Sequence, residues 1–174
     1  ENGYLIQGNA GDIKLVFMTD DIIRIRVSFD RKFKEASYAL VTTAWEDELD
    51  ELFKEERTRI KAKNVSCEET EDELVFRTET LKLVMKKQPI QFQLYDTEGK
   101  LIYSDLKERA FDKDQLGRIT HYSEIQAETD HFYGFGEKTG HLDKKGRHLR
   151  MSPKDAIGAD PEFGEPMYKH VPFY

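Results

Sequence analysis

An alternation of apolar and polar residues with a period of two constrains the fold of this chain more than any other feature. In the segment DIIRIRVSFD, the apolar residues Ile23, Ile25, Val27 and Phe29 alternate with arginine and serine. A strand with one buried face has this period, because successive side chains point to opposite faces of a sheet. The pattern predicts a strand over residues 22–29 that forms a hairpin with the preceding DIKLVFMT.

The same period recurs through most of the first 130 residues, and turn-forming residues separate the apolar runs. About ten short strands joined by turns predict an all-β fold, an antiparallel β-sandwich. The further strands are predicted at 37–41, 59–67, 74–78, 80–86, 90–95, 100–104, 119–128 and 131–135, with a turn at 96–99.

One segment departs from the strand pattern and predicts a single surface helix at about residues 44–58. Thr43 and Glu46 have the spacing of a capping box, and acidic residues crowd the first turns, where they favour a helix. The apolar residues of this segment recur at helical spacing: Trp45, Leu49, Leu52 and Phe53.

Residues 134–174 predict a loop-rich tail. They hold six of the eleven glycines and four of the five prolines, and the period of two stops. Residues before proline favour extended backbone, so we expect an irregular segment and not a helix. The tail nevertheless keeps apolar residues such as Phe163, Met167 and Phe173, and we expect them to pack against something outside this chain.

Charge and cysteine content exclude several classes of function. The net charge is −7, and residues 46–56 carry −6 of it, so no basic surface of the kind that binds nucleic acid is expected. No apolar run reaches the length of a membrane helix. The single cysteine, Cys67, excludes an internal disulfide and favours a reducing, cytoplasmic location. The chain starts with Glu1 and not Met, which we interpret as the sign of an excised domain.

No cofactor or metal is expected. The five histidines show no spacing typical of a metal site, and no second cysteine accompanies them. The glycines of GFGEKTG do not have the spacing of a dinucleotide-binding loop, and no apolar-striped helix follows them.

Three segments in order near the end of the chain resemble a known family. They are Tyr133-Gly-Phe-Gly-Glu137, Met151-Ser-Pro-Lys-Asp155 and Pro166-Met-Tyr-Lys-His-Val-Pro-Phe-Tyr174. Together they resemble the end of the N-terminal β-sandwich domain of glycoside hydrolase family 31, the α-glucosidase and α-xylosidase family. The middle segment matches in part, since Ser152 and Pro153 stand where the family commonly has Trp and Asn.

The resemblance implies a galactose mutarotase-like sandwich over residues 1–174 that precedes a catalytic (β/α)8 barrel of the same polypeptide, with 134–174 in contact with that barrel. It implies a retaining α-glycosidase whose two catalytic carboxylates lie outside this chain, so no catalytic residue is expected here. By the same resemblance, Asp155 binds hydroxyl groups of an α-linked oligosaccharide substrate. Asp160, five residues further on, is expected to matter less.

Two alternatives stay open from the sequence. The chain is either this accessory domain or an autonomous carbohydrate-binding module, for which Trp45, Tyr122 or Phe163 would supply an aromatic platform. The preference of the parent enzyme for glucosides or xylosides is also open.

Overall fold

A computed structural model describes residues 3–33, 64–152, 155, 157–158, 160–162 and 168–174. The chain divides into two compact units, residues 1–126 and residues 127–174. The predicted helix at 44–58 and the predicted strand at 37–41 lie outside the described residues, as do Trp45, Phe163 and Met167.

The first unit is built of antiparallel sheets, and the described residues contain no helix, which confirms the predicted all-β class. One sheet has three strands in the order β1-β2-β3, another has five in the order β4-β5-β6-β7-β8, and β9 and β10 form a separate pair. The strands are β1 (Gly3–Gln7), β2 (Asp12–Phe17), β3 (Ile23–Ser28), β4 (Ser66–Glu69), β5 (Glu73–Arg77), β6 (Leu81–Lys86), β7 (Gln91–Asp96), β8 (Leu101–Ser104), β9 (Phe111–Lys113) and β10 (Ile119–His121).

The two larger sheets share one apolar core. Alternate residues of β2 and of β5, β6 and β7 are buried in the same cluster, as the period of two predicts. The ring of Phe76 lies 5.5 Å from that of Phe17 and 4.8 Å from that of Tyr4. Burying each large apolar side chain of this kind contributes about 1.5–3 kcal/mol. The buried members of the cluster are Ile13, Leu15, Phe17, Leu74, Phe76, Leu83, Met85, Ile90 and Phe92.

Strand β3 confirms the strand predicted over residues 22–29, but other residues do not fully cover its apolar face. Its apolar residues oppose the core residues of β2, with Leu15 opposite Ile25. Ile25 is nevertheless 36% exposed. Among the described residues β3 is the last strand of its sheet, so its side chains have a neighbouring strand on one side only.

Hydroxyl groups connect the turns of the two larger sheets. The backbone carbonyl of Asp20, between β2 and β3, accepts hydrogen bonds of 2.6 Å from the hydroxyls of Thr78 and Thr80, between β5 and β6. The predicted turn between β7 and β8 is also present, since the Asp96 carboxylate accepts from the backbone N–H groups of Glu98 and Lys100. These bonds satisfy backbone groups that no sheet pairs.

Two predicted strands are corrected. The strand predicted at 119–128 ends at His121 as β10, and its continuation makes only an isolated bridge between Ser123 and Asp105. The strand predicted at 131–135 does not form. Its end has the positive φ values of 100° at Gly134 and 71° at Phe135, and a regular strand requires negative φ.

The described part of the chain contains no helix that is long and apolar enough to cross a membrane.

Candidate functional site

The first and last of the three family-like segments pair with each other in the second unit. The backbone N–H of Phe135 donates to the carbonyl of Phe173 at 2.9 Å, and that of Glu137 donates to the carbonyl of Lys169 at 2.9 Å. An isolated antiparallel bridge joins Gly136 to His170. Segments more than 30 residues apart in the sequence are therefore neighbours in the structure.

Glycine is required where these segments meet. A Cβ on Gly134 would lie 2.5 Å from the carbonyl oxygen of Phe173, and one on Gly136 would lie 2.6 Å from that of Lys169. Both glycines have positive φ, which glycine adopts without steric cost. The close approach of another backbone segment is a further reason for glycine at these two positions, and the sequence did not indicate it.

Phe135 carries backbone strain at the same place. Its φ of 71° is unusual for a bulky residue. Its ring stacks on that of Tyr174, with centroids 5.0 Å apart and planes inclined by 14°. Strained residues of this kind persist where the surrounding structure holds them, and they cluster at functional sites.

Glu137 and Lys138 attach further backbone to this junction. The Glu137 carboxylate accepts from the backbone N–H groups of Tyr168 and Lys169 at 3.2 and 3.0 Å. The Lys138 ammonium donates to the carbonyl of Arg150 at 2.8 Å and to Nδ1 of His170 at 2.9 Å. The segment that leads into Met151 and Asp155 is thus held next to the other two.

Asp155, the predicted substrate-binding residue, is exposed and contacts this junction. Its Oδ1 accepts a hydrogen bond of 2.5 Å from the hydroxyl of Tyr168. Its Oδ2 has no hydrogen-bond partner among the described residues. All three family-like segments therefore meet, and the carboxylate has one oxygen held and one oxygen open.

Asp160 has a different role. Its Oδ1 accepts from the backbone N–H of Glu162 at 2.7 Å, within a turn whose Pro161 carbonyl accepts from Gly140. Asp160 therefore stabilises a local turn, which makes it a suitable control for Asp155.

Asp143 is a second carboxylate that orders this unit. His131 donates to it through Nδ1 at 2.7 Å, and the backbone N–H groups of Phe132 and Lys145 donate at 3.0 Å. These bonds, led by the one from His131, hold the pKa of Asp143 well below its ordinary value. The sequence did not single out this residue.

Several large apolar side chains of the second unit face solvent. Ile157 is 88% exposed and Phe173 is 78% exposed. Exposed apolar groups concentrated in one segment are typical of interaction surfaces. The others are Tyr133, Leu142, Met151, Tyr168, Val171 and Tyr174.

A polar cluster in the first unit was also missed by the sequence. Asp105 is fully buried, and it accepts hydrogen bonds from the Tyr103 hydroxyl at 2.5 Å, His121 Nε2 at 2.7 Å and the backbone N–H of Phe92 at 2.8 Å. The Tyr103 hydroxyl also lies 2.9 Å from Ser123 Oγ. A buried carboxylate with this set of donors joins the residue after β8 to β7 and to the end of β10.

The cluster is not arranged for nucleophilic catalysis. The imidazole of His121 contacts the carboxylate, but the nearest partner of Ser123 is the Tyr103 hydroxyl and not a histidine nitrogen. A serine nucleophile requires a base within hydrogen-bonding reach. We assign the cluster a structural role.

Within the part of the chain that the structure describes, no group of three or more His, Cys, Asp or Glu side chains could hold a metal ion. Tyr122 is half-buried, and the guanidinium of Arg109 lies over one face of its ring, 4.9 Å from the centroid.

Comparison with known proteins identifies the same family as the three segments near the end of the chain. Residues 12–174 match the family model of the glycosyl hydrolase 31 N-terminal galactose mutarotase-like domain. The whole chain aligns with 20% of α-glucosidase 2 from Bacillus thermoamyloliquefaciens, at 29% identity over 176 residues.

Solved structures share the fold. The chain superposes on a glycoside hydrolase family 31 dextranase from Flavobacterium johnsoniae, solved in complex with isomaltotriose, with a TM-score of 0.78 and 26% identity, covering 99% of this chain and 20% of the dextranase. A family 31 α-xylosidase from Xanthomonas citri shares the fold alone, with a TM-score of 0.55 and 18% identity over 84% of this chain and 15% of that enzyme. The chain thus spans about one fifth of the length of the α-glucosidase and the dextranase.

Proposed function

The chain belongs to the galactose mutarotase-like N-terminal domains of glycosyl hydrolase 31, and from this premise we propose that it is the accessory domain of a retaining α-glycosidase acting on α-linked glucosides or xylosides. The observation that carries the proposal is the family match over residues 12–174 in a chain that spans one fifth of its relatives. The relatives include an α-glucosidase and a dextranase. The remaining length of such an enzyme holds the catalytic barrel.

The partner of this domain is that barrel, in the same polypeptide. The exposed apolar side chains of the second unit support this assignment, since Leu142, Ile157 and Phe173 face solvent in the chain alone. An irregular backbone held by glycines, Glu137 and Lys138 presents them. Covering such groups on association supplies the apolar part of an interface.

The domain itself performs no hydrolysis in this proposal. Retaining hydrolysis uses two carboxyl groups about 5–5.5 Å apart, one as nucleophile and one as general acid and base. Both belong to the barrel. The chain alone should therefore not turn over p-nitrophenyl α-glucoside or α-xyloside, and the full-length enzyme should. Turnover by the chain alone that disappears when one of its own acids is replaced would overturn the proposal.

Asp155 contributes to substrate selection at the mouth of the barrel. A carboxylate oxygen accepts charge-assisted hydrogen bonds from sugar hydroxyls, each contributing about 1.5–3 kcal/mol. The Tyr168 hydroxyl orients the carboxylate through Oδ1, and Oδ2 is open among the described residues. In this role Asp155 binds sugar beyond the cleaved bond and transfers no proton.

The test is kinetic and uses the full-length enzyme. Asp155→Ala should lower kcat/KM for disaccharides by roughly 10- to 100-fold, because one or two sugar hydrogen bonds are lost. Tyr168→Phe keeps the carboxylate but removes the hydroxyl that orients it, so its effect should be smaller. Melting temperatures should change little, since both side chains are exposed.

Asp160→Ala is the matched control. It removes a carboxylate of the same loop region that accepts a hydrogen bond from the backbone N–H of Glu162. We expect weaker kinetic effects than for Asp155→Ala. If Asp155→Ala left the kinetics on several disaccharides unchanged and Asp160→Ala lowered kcat/KM, the role would belong to Asp160 and the proposal for Asp155 would be wrong.

A further inference from the structure

A polar pocket of about 340 Å³ lies on the outer face of the five-stranded sheet, on the side opposite the apolar core. Its volume is at the lower end of the range of about 300–1,000 Å³ found for small-molecule sites. Neither Asp155 nor any other residue of the second unit contributes to it. The residues that line it are Glu73, Val84, Lys86, Gln91, Gln93, Ser104, Lys107 and Glu124.

The floor of the pocket is a grid of side chains that the strand register fixes. Lys86 of β6 is paired with Glu73 of β5 on one side and with Gln91 of β7 on the other. Such cross-strand neighbours have Cβ atoms about 4.5–5.5 Å apart. An acid, a cation and an amide therefore stand side by side across three strands.

A second row of the grid is less polar at one end. Gln93 of β7 is paired with Val84 of β6 and with Ser104 of β8. Val84 therefore places an apolar side chain beside Gln93 and two residues before Lys86 on the same face of β6. The floor thus combines donors, acceptors and one apolar contact within a small area.

The wall of the pocket is held by backbone bonds near the buried Asp105. The backbone N–H of Glu124 donates to the carbonyl of Ser104 at 2.9 Å, and that of Lys107 donates to the Glu124 carboxylate at 3.4 Å. The Asp105 carbonyl accepts from Nε2 of Gln91 at 3.1 Å. Gln91 and Glu124 are therefore positioned before any ligand binds.

The pocket retains unused hydrogen-bonding groups. Gln91 is only 6% exposed and its amide nitrogen is engaged, so its amide oxygen is the available atom. The Tyr95 hydroxyl donates to Oε1 of Gln93 at 3.2 Å, which leaves the Gln93 amide nitrogen as a donor. Among the residues that the structure describes, the ammonium groups of Lys86 and Lys107 form no ion pair.

These groups select the chemistry of a ligand. Two lysines and two glutamates have no net charge, so the pocket does not favour an anion such as phosphate over a neutral molecule. Sugar hydroxyls both donate and accept, which suits lysine and amide donors next to carboxylate and amide acceptors. The C–H groups of a sugar ring suit Val84.

We propose that this pocket is a carbohydrate-binding site additional to the one proposed at Asp155, and that it takes a short segment of α-linked glucan. The choice of α-linked glucan as the ligand rests on the proposed function. The pocket has no aromatic platform among its lining residues, so the expected affinity is in the millimolar range. Its role is to keep a polymeric substrate near the enzyme, where a weak second contact raises the effective concentration.

The test is a titration of the isotope-labelled 174-residue chain with isomaltotriose, followed by amide chemical shifts. We expect saturable shifts at Lys86, Gln93 and Lys107. The double variant Lys86→Ala/Lys107→Ala should weaken binding by about tenfold or more, since it removes two charged donors. Lys100→Ala, at an exposed turn of the same sheet, is the control and should bind as the unmodified chain does.

Three results would overturn the proposal: no saturable shift at the pocket, equal binding by the double variant, or saturable shifts with inorganic phosphate in place of the sugar. Shifts confined to Asp155 and Tyr168 would also overturn it, while leaving the proposed function intact.

Conversely, a full-length protein without glycosidase activity would contradict the proposed function, and the titration would still report on the pocket. In an active enzyme, the double variant should keep its kcat/KM on p-nitrophenyl substrates and lose efficiency on long glucans.

Discussion

Residues 1–126 and residues 127–174 contain the same kinds of apolar side chain but use them in opposite ways. In the first unit Phe17 and Phe76 are buried between two sheets. In the second, Phe173 and Ile157 face solvent, and polar groups order the backbone. The first unit therefore has an apolar core of its own, whereas large apolar side chains of the second unit are exposed in the chain alone.

The largest expected effect tests the core of the first unit. Phe76→Ala removes a buried ring that contacts Phe17 and Tyr4, and it should lower the free energy of unfolding by about 3–5 kcal/mol. Urea denaturation followed by circular dichroism measures this change. The matched control, Leu142→Ala, removes an exposed side chain of the second unit and should stay within about 0.5 kcal/mol. Equal losses for the two variants would remove the contrast between the units.

A smaller and more local effect is expected at the junction in the second unit. Gly136→Ala forces positive φ on alanine and brings its Cβ within 2.6 Å of the Lys169 carbonyl oxygen. Backbone strain of this kind costs of order 1–3 kcal/mol. Hydrogen exchange at the amides of Glu137 and Phe135 should become faster, while exchange in β5 and β6 stays unchanged.

Gly146→Ala separates the cost of positive φ from the collision of the added Cβ with another backbone segment. Gly146 also has positive φ, but a Cβ there would meet nothing within 4 Å. This variant carries the strain without the collision and should affect exchange less. If the two variants behave alike, the close approach of the Lys169 backbone does not matter.

The smallest expected effect is a dependence on pH in the second unit. Hydrogen bonds from His131 and from two backbone N–H groups hold the pKa of Asp143 below its ordinary value of 3.8. A lowered folded pKa means that the carboxylate's contribution to stability is complete above pH 3.8 and is lost as the pH falls through the folded pKa. Hydrogen exchange at the amides of Phe132 and Lys145 should therefore increase as the pH falls below 3.8. Asp143→Asn should abolish this dependence on pH. An acid-induced increase that persists in the variant would assign it to another group.

Local patterns explain why much of the first unit could be predicted. The alternation over 22–29 identified β3, and the run of Asp, Thr, Glu and Gly at 96–99 identified the turn between β7 and β8. Both depend on residues next to each other in the chain. The strand predicted at 131–135 failed because the alternation of side chains does not report the backbone φ of Gly134 and Phe135.

Site residues were harder to predict, because their partners are distant in the sequence. Asp155 was assigned by resemblance alone, and its hydrogen bond with Tyr168 crosses 13 residues. In the sequence, Asp105 is an acid that follows a predicted strand, and nothing distinguishes it from other acids. In the structure it is buried, and its carboxylate accepts hydrogen bonds from Phe92, Tyr103 and His121. No spacing in the sequence indicates that those three residues surround it.

By itself, the sequence determined the all-β class, the positions of most described strands and the family, because side-chain period, turn residues and short motifs are local properties of the chain. Only the tertiary structure decided that the three family-like segments meet, that Gly136 lies against the backbone of Lys169, and that the outer face of β6 and β7 forms a pocket. These features arise from the path of the backbone between segments. Strand register and the close approach of chains set that path, and neither is written in any single stretch of residues.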